Sequence, residues 1–465
     1  MRLLIVALLL WLVAVLYGQV RPLPEGLSVR GEIFPVSSVE FLYDLTFARD
    51  GELRREQRIF ERMCRLIEEA EQFVLLDLFL FNSMHGSARD YPPLAASLTA
   101  RLIEKKRVAP QVDVVLITDE INRNYGAFEP DHFAKLRAKG VRVVYTDTRR
   151  LRDSNFFYSS LWRLLGQWIS GEGAGWLPNP FAARGPEMTL GSYLRLMNFK
   201  ANHRKVAVNE KEALITSANP HDASAYHSNI ALVGRGGIVR EIIASERAVA
   251  HFSGLDFPEW PIAAPKGSGP IGIQLLTEGK IKESLLANLA RCGKGGSVRM
   301  AMFYLSDRDI INALLAVAER GAEVRIVLDS NSEAFGRAKS GIPNRPVAAE
   351  LLRRSGGKID LRWYASRGEQ FHSKLTMISF PGQSLIIAGS ANLTRRNLDD
   401  FNLESCFAVH APSDAEVVGA VASYFDRIWR NTDGDYSHDA QKYAMVSPFC
   451  QALYRFQEWS GLSTF

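Results

Sequence analysis

The chain runs twice through the same order of helices and strands, and this repetition constrains its fold more than any other feature. Each copy contains an amphipathic helical segment, an apolar strand, a second helical segment and a second strand. Alternating helices and buried strands predict an α/β fold in which two similar halves each cover a sheet with helices. Each second strand ends in an acid, Asp119 or Asp329. The segments are 54–70, 73–81, 94–107 and 112–118 in the first copy, and 281–291, 298–305, 310–320 and 324–328 in the second.

Each copy then carries a His-x-Lys motif followed by a Ser-x-Asn motif. A lone His-x-Lys is typical of an ordinary surface strand, and a lone Ser-x-Asn carries even less information. Two copies in matched order favour a functional interpretation, as does the asparagine found ten residues after each Ser-x-Asn, Asn229 or Asn402. The motif residues are His203, Lys205, Ser217 and Asn219 in the first copy, and His372, Lys374, Ser390 and Asn392 in the second.

Residues i and i+2 of a strand face the same side, so each His-x-Lys would place an imidazole beside an ammonium. An ammonium has no lone pair to give a metal ion, and we expect neither a metal nor a cofactor. The set suits a phosphodiester, because Lys205, Lys374 and the two motif asparagines would hold its non-bridging oxygens as charge develops. One histidine would attack phosphorus and the other would protonate the departing oxygen, since imidazole titrates near neutral pH.

These motifs resemble the signature of the phospholipase D superfamily, which is H-x-K, a spacer with Asp, then G-S-x-N. The resemblance spans residues 39–430, and the run NHRK at 202–205 is most similar to the bacterial cardiolipin synthase and phosphatidyltransferase branch. It implies a duplicated phospholipase D fold, with two halves related by a pseudo-twofold axis around one shared active site.

The resemblance also implies roles for single residues. His203 would be the nucleophile that forms phosphohistidine, and His372 would be the general acid and later the base. The two motif serines, Ser217 and Ser390, would help to hold the phosphate. Arg395, shortly after the second motif, is expected either to contact an anionic headgroup or to lie in a solvated loop.

The sequence departs from the family pattern at several places. The spacer aspartate is absent from both halves, where Asn209-Glu210 and Ser379 stand, and Thr216 replaces the glycine of the first G-S-x-N. Glu404 matches the acid that follows the second motif and would orient a histidine from behind, whereas Ala231 occupies its expected place in the first half. Because every residue expected to touch phosphate is kept, we expect an active enzyme.

Composition excludes some classes of protein. The 465 residues carry a net charge of only +5, which does not suggest a dedicated nucleic-acid-coating protein. Four cysteines without C-x-x-C spacing indicate neither a zinc ribbon nor a disulfide framework. The Pro/Gly-rich stretch 258–272 predicts a boundary between a first half at 39–257 and a second at 271–431, followed by a tail at 432–465.

Residues 3–17 include no charged or strongly polar side chain. The apolar run as far as Val20 is about long enough for one membrane span. Bulky residues before Gly18 make a poor cleavage site, which favours an uncleaved anchor at 1–20 over a cleaved signal sequence. We therefore expect a membrane-associated protein with a single-span anchor in a bacterial inner membrane, in an orientation that the flanking charges leave open.

Residues 150–198 form an insertion that has no counterpart in the second half. Its large apolar side chains fall at helical spacing, which fits either a helix that covers the core or an interfacial helix whose aromatics enter lipid headgroups. The aromatics of the tail are expected to serve simple packing. The insertion residues in question are Trp162, Leu165, Trp168 and Ile169, with Phe181 further on.

We therefore interpret the chain as a membrane-bound phosphatidyltransferase or phospholipase of cardiolipin-synthase type. It would pass a phosphatidyl group, from phosphatidylglycerol or a similar phospholipid, to an alcohol or to water. The alternative is a phospholipase D-type nuclease acting on nucleic-acid phosphodiesters, which the anchor, the aromatic insertion and the mild charge disfavour. The two intact His-x-Lys motifs disfavour an inactive scaffold.

Overall fold

The computed structural model describes residues 1–86, 90–180, 182, 185–262, 267–334, 337–443, 447–463 and 465. Two large β-sheets form the body of the protein. From edge to edge, the seven-stranded sheet consists of Glu40–Tyr43, Ile230–Arg235, Glu212–Thr216, Lys205–Asn209, Phe73–Leu78, Asp113–Thr118 and Arg142–Tyr145. The nine-stranded sheet consists of Phe34–Val36, Ile271–Thr277, Ser405–Pro412, Gln383–Gly389, Lys374–Phe380, Ser297–Met302, Glu323–Leu328, Ile359–Tyr364 and Ser437–Asp439.

The strands of the first sheet and the middle seven strands of the second follow the same order, with the His-x-Lys strand at the centre of each. In the first sheet this central strand runs antiparallel to Phe73–Leu78, which pairs in parallel with Asp113–Thr118. In the second sheet it runs antiparallel to Ser297–Met302, which pairs in parallel with Glu323–Leu328. Shared order and shared strand direction confirm the predicted duplicated α/β fold.

Two strands at the edges of the larger sheet come from outside the predicted second half. Phe34–Val36 pairs antiparallel with Ile271–Thr277, although it precedes the whole of the first half in the sequence. Ser437–Asp439, from the predicted tail, pairs antiparallel with Ile359–Tyr364 at the opposite edge. The tail is therefore joined to the second half by a strand.

Helices cover the sheets. Two small antiparallel strand pairs, Leu45–Arg49 with Glu52–Glu56 and Glu333–Ala334 with Arg337–Ala338, lie outside the sheets. The helices are Arg2–Val20, Ile59–Glu68, Leu94–Val108, Asp131–Ala138, Phe156–Leu164, Leu190–Leu196, Ile238–Phe252, Gly279–Arg291, Arg308–Glu319, Asn344–Ser355, Arg395–Leu398, Glu416–Arg430 and Pro448–Ser460.

The largest apolar cluster draws on both sheets. It joins Val206 and Ile215 of the first sheet to Leu375, Ile386 and Phe407 of the second. One further apolar cluster lies between each sheet and its own helices. The central strands are buried on both faces, which explains why they read as continuous apolar runs rather than as alternating ones.

The first helix, Arg2–Val20, is long and apolar enough by composition to cross a membrane, with a mean hydropathy of 2.5. No other helix within the described residues passes the same test. It packs along the insertion helix Phe156–Leu164, where the ring of Trp11 stacks on Phe157 at a centroid distance of 5.8 Å.

The insertion helix is shorter than its apolar spacing predicts. It ends at Leu164, and a short 3-10 turn, Gly166–Trp168, follows. Trp162 is buried, whereas Leu165 and Trp168 are exposed, so a core-covering role accounts for only part of the pattern. Phe181 lies outside the described residues.

Candidate active site

The two His-x-Lys motifs lie at the start of the central strand of each sheet. The strands begin at Lys205 and Lys374, and each histidine precedes its strand by two residues. Each lysine Nζ donates a hydrogen bond to the backbone oxygen of its own motif histidine, at 2.7 Å for Lys205 and 2.8 Å for Lys374. All four side chains are buried. Each half therefore presents one imidazole and one ammonium, as the motif spacing predicts.

Each motif histidine is held by backbone hydrogen bonds to the opposite half. The His203 N–H donates to the oxygen of Leu403 at 2.9 Å, and the His372 N–H donates to the oxygen of Ser228 at 2.8 Å. These matching bonds bring the two motifs to one place between the halves.

The side-chain contacts of the histidines also cross between the halves. His203 Nδ1 lies 2.9 Å from Glu404 Oε1, and His372 Nδ1 lies 3.1 Å from Asn229 Oδ1. A carboxylate or amide oxygen can only accept, so each Nδ1 carries the hydrogen and each neutral imidazole keeps its lone pair on Nε2. Each half thus orients the histidine of the other half.

The two motif serines bind these oxygen acceptors. Ser217 Oγ donates to Asn229 Oδ1 at 3.1 Å, and Ser390 Oγ donates to Glu404 Oε2. Both serines are fully buried. Each serine therefore holds the residue that contacts a motif histidine, whereas the sequence predicted that the serines would help to hold the phosphate.

Asn229, rather than Ala231, is the first-half counterpart of Glu404. The Ser217 N–H bonds to the oxygen of Ile230, whereas the Ser390 N–H bonds to the oxygen of Ser405, the residue after Glu404. The alignment of Asn229 with Asn402 by equal offset was wrong. Its cause is loop length, because 13 positions lead from serine to its bonded partner in the first half (230 − 217) and 15 in the second (405 − 390).

The departures from the family pattern have local explanations. A Cβ at Gly389 would overlap the backbone oxygen of Ser405, so this position needs glycine. In the first half the Thr216 hydroxyl instead donates to the oxygen of Ile230 at 2.7 Å, which makes a side chain useful there. Glu210, at the first spacer position, accepts hydrogen bonds from the backbone of the 71–72 turn at the other end of the strand.

Two aromatic rings that the sequence analysis missed pack against the motifs. The Phe79 ring lies 4.8 Å from the His203 ring, and the Phe303 ring lies 5.0 Å from the His372 ring. The Nζ atoms of Lys205 and Lys374 lie 4.9 and 5.0 Å from the centroids of the same two rings. Both aromatics directly follow the first strand of their half, where their apolar neighbours made them look like ordinary core residues.

The acids that end the second strands position the motif histidines indirectly. Asp119 accepts the N–H of Asn202 at 2.7 Å, and Asp329 accepts the N–H of Phe371 at 2.8 Å. These are the residues immediately before the two histidines. Burial raises the pKa of Asp119 to about 7 and that of Asp329 to about 6.

The site is rich in buried bases and poor in acids. Burial, together with the charge of Lys205, lowers the pKa of His203 to about 4. Burial and the nearby lysines hold the pKa of His372 well below its usual value. Burial also lowers the pKa of Lys205 to about 7 and that of Lys374 far below its ordinary range, where the charge of Lys205 adds to the effect. An anion among these groups would relieve both repulsion and desolvation.

Glu404 is the carboxylate in direct contact with a motif histidine. Although burial opposes ionisation, the neighbouring His203 and Lys205 hold the pKa of Glu404 below its usual value. Glu404 is therefore ionised at neutral pH. No group of three or more His, Cys, Asp or Glu side chains suited to a metal ion occurs in the part of the chain that the structure describes.

The motif asparagines and Arg395 differ in their surroundings. Asn219 Oδ1 lies 3.4 Å from the N–H of Leu80, and Asn392 Oδ1 has no hydrogen-bond partner among the described residues, which leaves its amide able to turn toward a ligand. Arg395 lines an open cleft of ≈ 660 Å³ between the first helix and the last helix. The two motif histidines do not line this cleft.

Comparison with known proteins finds a family-model match for part of the second half and similar folds among solved structures. Residues 285–429 match the family model described as cardiolipin synthase, phospholipase D-like domain. None of the curated proteins compared with the chain matches its sequence. In fold, the chain is similar to the crystal structure of phosphatidylserine synthase from Haemophilus influenzae Rd KW20, with a TM-score of 0.60 and 11% identity, over 92% of this chain and 94% of that one.

Two other solved structures align at lower TM-scores. Polyphosphate kinase from Porphyromonas gingivalis gives a TM-score of 0.49 at 15% identity, over 90% of this chain and 52% of that one. Nuc, a phospholipase D family member from Salmonella typhimurium, gives 0.28 at 21% identity, over 36% of this chain and 97% of that one.

Proposed function

We propose that this chain is an enzyme of the phospholipase D superfamily, and that it transfers or hydrolyses the phosphodiester of a membrane phospholipid through a phosphohistidine intermediate. The observation that carries the proposal is the crossed pairing of His203 with Glu404 and of His372 with Asn229 inside one buried basic site. The pairing gives the two histidines different chemical partners, so we assign them different roles.

His203 is the nucleophile in this scheme. Its low pKa keeps the imidazole neutral, and the hydrogen on Nδ1 leaves the Nε2 lone pair for attack on phosphorus. The N–P bond forms as the bond from phosphorus to the leaving oxygen breaks. The imidazole gains positive charge in this step, and the Glu404 carboxylate stabilises that charge.

His372 transfers the protons. The bound phosphodiester brings a negative charge next to His372, which raises its pKa and allows it to carry a proton on Nε2. That proton goes to the leaving oxygen in the first step. In the second step His372 takes a proton from the incoming alcohol or water, whose oxygen attacks phosphorus and releases His203. The neutral amide of Asn229 leaves the imidazolium more acidic than a carboxylate would.

The lysines and asparagines hold the phosphate. Lys205 and Lys374 supply positive charge to the non-bridging oxygens, and the amides of Asn219 and Asn392 donate hydrogen bonds to them. Because these groups are already in place in a buried site, they stabilise the charge that develops on the oxygens without reorganising.

We assign the substrate to phospholipids. The match to a cardiolipin synthase-type domain model supports this class, and so does the apolar helix Arg2–Val20, which we propose anchors the enzyme to a membrane. Phosphatidylglycerol is the proposed phosphatidyl donor, with an alcohol or water as acceptor. Arg395, in the cleft beside that helix, is the proposed contact for an anionic headgroup.

The test is turnover by the full-length enzyme in vesicles that contain labelled phosphatidylglycerol, with labelled single-stranded DNA in a separate reaction. We expect cardiolipin or phosphatidic acid as product and intact DNA. H203A and H372A should each abolish turnover, whereas H251A, at an exposed histidine, should not. Cleavage of DNA without any lipid product would overturn the proposal in favour of a nuclease.

A further inference from the structure

The insertion helix Phe156–Leu164 carries an apolar stripe that the body of the protein does not cover. From Phe157 onward, side chains at helical spacing point outward: Leu161, Leu164, Leu165 and Trp168. Leu165 is 73% exposed and Trp168 is 80% exposed. Exposed side chains of this size in a continuous row are unusual for a surface that meets only water.

The last helix, Pro448–Ser460, has a second apolar stripe. Tyr454 on its inner face is buried and donates its hydroxyl to the oxygen of Ser306 at 3.1 Å, which docks the helix on the second half. On its outer face Phe449, Phe456 and Trp459 follow one another at spacings of seven and three residues, and Trp459 is 58% exposed. The helix is thus apolar on the side that turns away from the protein.

The two stripes meet the first helix at one point. Trp11 of that helix stacks on Phe157, and the ring of Trp459 lies 5.5 Å from the same Phe157 ring. Arg21, just after the first helix, donates to the oxygen of Arg149, just before the insertion helix. The first helix and the insertion helix therefore run antiparallel. The exposed stripe of the insertion extends beside the N-terminal half of the first helix.

The position of the first helix beside the two stripes indicates what covers them. Trp11 lies nine residues before Val20, or about 13 Å along a helix axis. If the first helix enters a bilayer, the side chains that touch Trp11 enter it to a similar depth. Arg21 and Arg152 lie at the opposite end of the contact between the first helix and the insertion helix. At that depth phospholipid headgroups attract positive charge. Lipid is the one occupant that suits the spanning helix and both stripes together.

The same elements pack on segments that lead to active-site residues. The insertion packs through Met188 and Leu196 on Tyr125, close in sequence to Asp119, which positions the His203 segment. The last helix docks at Ser306, close in sequence to Phe303 beneath His372. Both stripes therefore belong to elements that pack on segments neighbouring active-site residues in the sequence.

We propose that Leu161, Leu164, Leu165, Trp168, Phe456 and Trp459 form a membrane face, which sinks into a phospholipid bilayer beside the first helix. The membrane face directs the active site toward the lipid, so that headgroups reach the histidines without the acyl chains leaving the bilayer. The role in catalysis rests on the proposed function, whereas the contact with lipid rests only on the anchoring of the first helix.

The test uses the full-length protein in phosphatidylglycerol and phosphatidylethanolamine vesicles that contain nitroxide-labelled lipid. A fluorophore is attached through L165C, W168C or F456C in a C450A background, because the other three cysteines are buried. V108C is the matched control, since Val108 is 58% exposed and lies outside the membrane face. We expect the lipid quencher to reduce fluorescence at positions 165, 168 and 456 at least severalfold more than at 108.

Equal quenching at all four positions would overturn the proposal. Energy transfer between labelled copies that persists at low protein density would overturn it too, because the stripes would then be an interface between copies. In a second measurement, L165S/W168S should lower turnover on vesicles about tenfold and leave turnover of a monomeric short-chain phospholipid unchanged. Absence of turnover in both assays would count against the proposed function, while the quenching result would still decide the membrane face.

Discussion

His372 donates its Nδ1 hydrogen to the side-chain oxygen of Asn229, a neutral amide, at 3.1 Å. The matching contact in the other half is made by a carboxylate, Glu404. The orientation of the amide is fixed on both sides, because Asn229 Nδ2 donates to the oxygen of His227 and Oδ1 accepts from Ser217. The duplicated site is therefore asymmetric in charge, and its pH behaviour should depend on this difference.

Asn229→Asp should move the pH dependence of turnover toward alkaline pH. A carboxylate at this position stabilises the imidazolium form of His372, which raises its pKa by about one to three units. With a raised pKa, His372 stays protonated to higher pH, so protonation of the leaving oxygen continues at higher pH. Abstraction of the proton from the incoming alcohol or water by His372 slows. The pH profile of kcat checks this, with N209D, at the end of the Lys205–Asn209 strand, as control. An unchanged pH profile would show that Asn229 does not control the protonation of His372.

Glu404→Gln should lower turnover by roughly two to four orders of magnitude, because the positive charge that develops on His203 loses its carboxylate. Binding of a phosphate mimic such as tungstate should change far less, since Glu404 faces the histidine rather than the oxygens. Steady-state kinetics and calorimetry separate the two effects, with E283Q at an exposed position as control. Full activity in E404Q would contradict the role assigned to His203.

His372→Ala should separate the two chemical steps. With a p-nitrophenyl ester of a phosphatidyl group, the leaving oxygen needs no acid, so His203 should still become phosphorylated. The second step lacks its base, and we expect one burst of p-nitrophenol equal to the enzyme concentration. Rapid-mixing absorbance measures the burst, and H203A should show none. A burst in H203A that is missing in H372A would reverse the two roles.

Anion binding to the site should take up protons near neutral pH. Burial lowers the pKa of Lys205 to about 7, so below pH 7 the lysine is charged before the anion arrives, and above pH 7 it must gain a proton. The affinity for tungstate should then fall as pH rises, by about tenfold per unit for each linked proton. Titration calorimetry in buffers of different ionisation enthalpy counts the protons. K205M should reduce the count, and K211M, at an exposed lysine, should leave it unchanged.

Arg204→Met should destabilise the protein more than it impairs the chemistry. The Arg204 side chain is fully buried and pairs with Glu246 at 3.2 Å and Glu278 at 2.7 Å, which joins the first half to the second. Loss of one partner leaves the buried carboxylates uncompensated, at a cost of about 3–5 kcal/mol. Denaturant unfolding measures this, with R240A as the surface control. A loss below 1 kcal/mol would show that the network contributes little.

Matched motif order in the sequence was enough to predict the α/β duplication, and the resemblance to a known family implied that His203 and His372 share one site. The role of Asn229 could not be predicted, because a difference of two residues in loop length makes the wrong asparagines coincide when offsets alone are compared. Phe79 and Phe303 were missed for a different reason. An aromatic that follows an apolar strand has the same sequence pattern whether it packs in a core or against a catalytic group.

The surface roles were harder still to predict. A helical spacing in the insertion is equally compatible with a covered and an uncovered face, and only the position of the first helix beside Phe157 distinguishes them. Arg395 follows the second motif closely in sequence, yet it lines a cleft that the two motif histidines do not line. Neighbours along a chain diverge when a helix starts between them, as happens at Arg395–Leu398.

The edge strand Phe34–Val36 governs the order in which a nascent chain can finish folding. All seven strands of the first sheet have been synthesised once Ile230–Arg235 is made, yet Phe34–Val36 must wait for Ile271–Thr277 before it gains a partner. Synthesis of the two halves as separate polypeptides, cut within 258–270, would leave this strand on the first fragment and its pairing edge on the second. The fragments should then recognise each other through that strand, so that the duplicated enzyme carries its own means of reassembly.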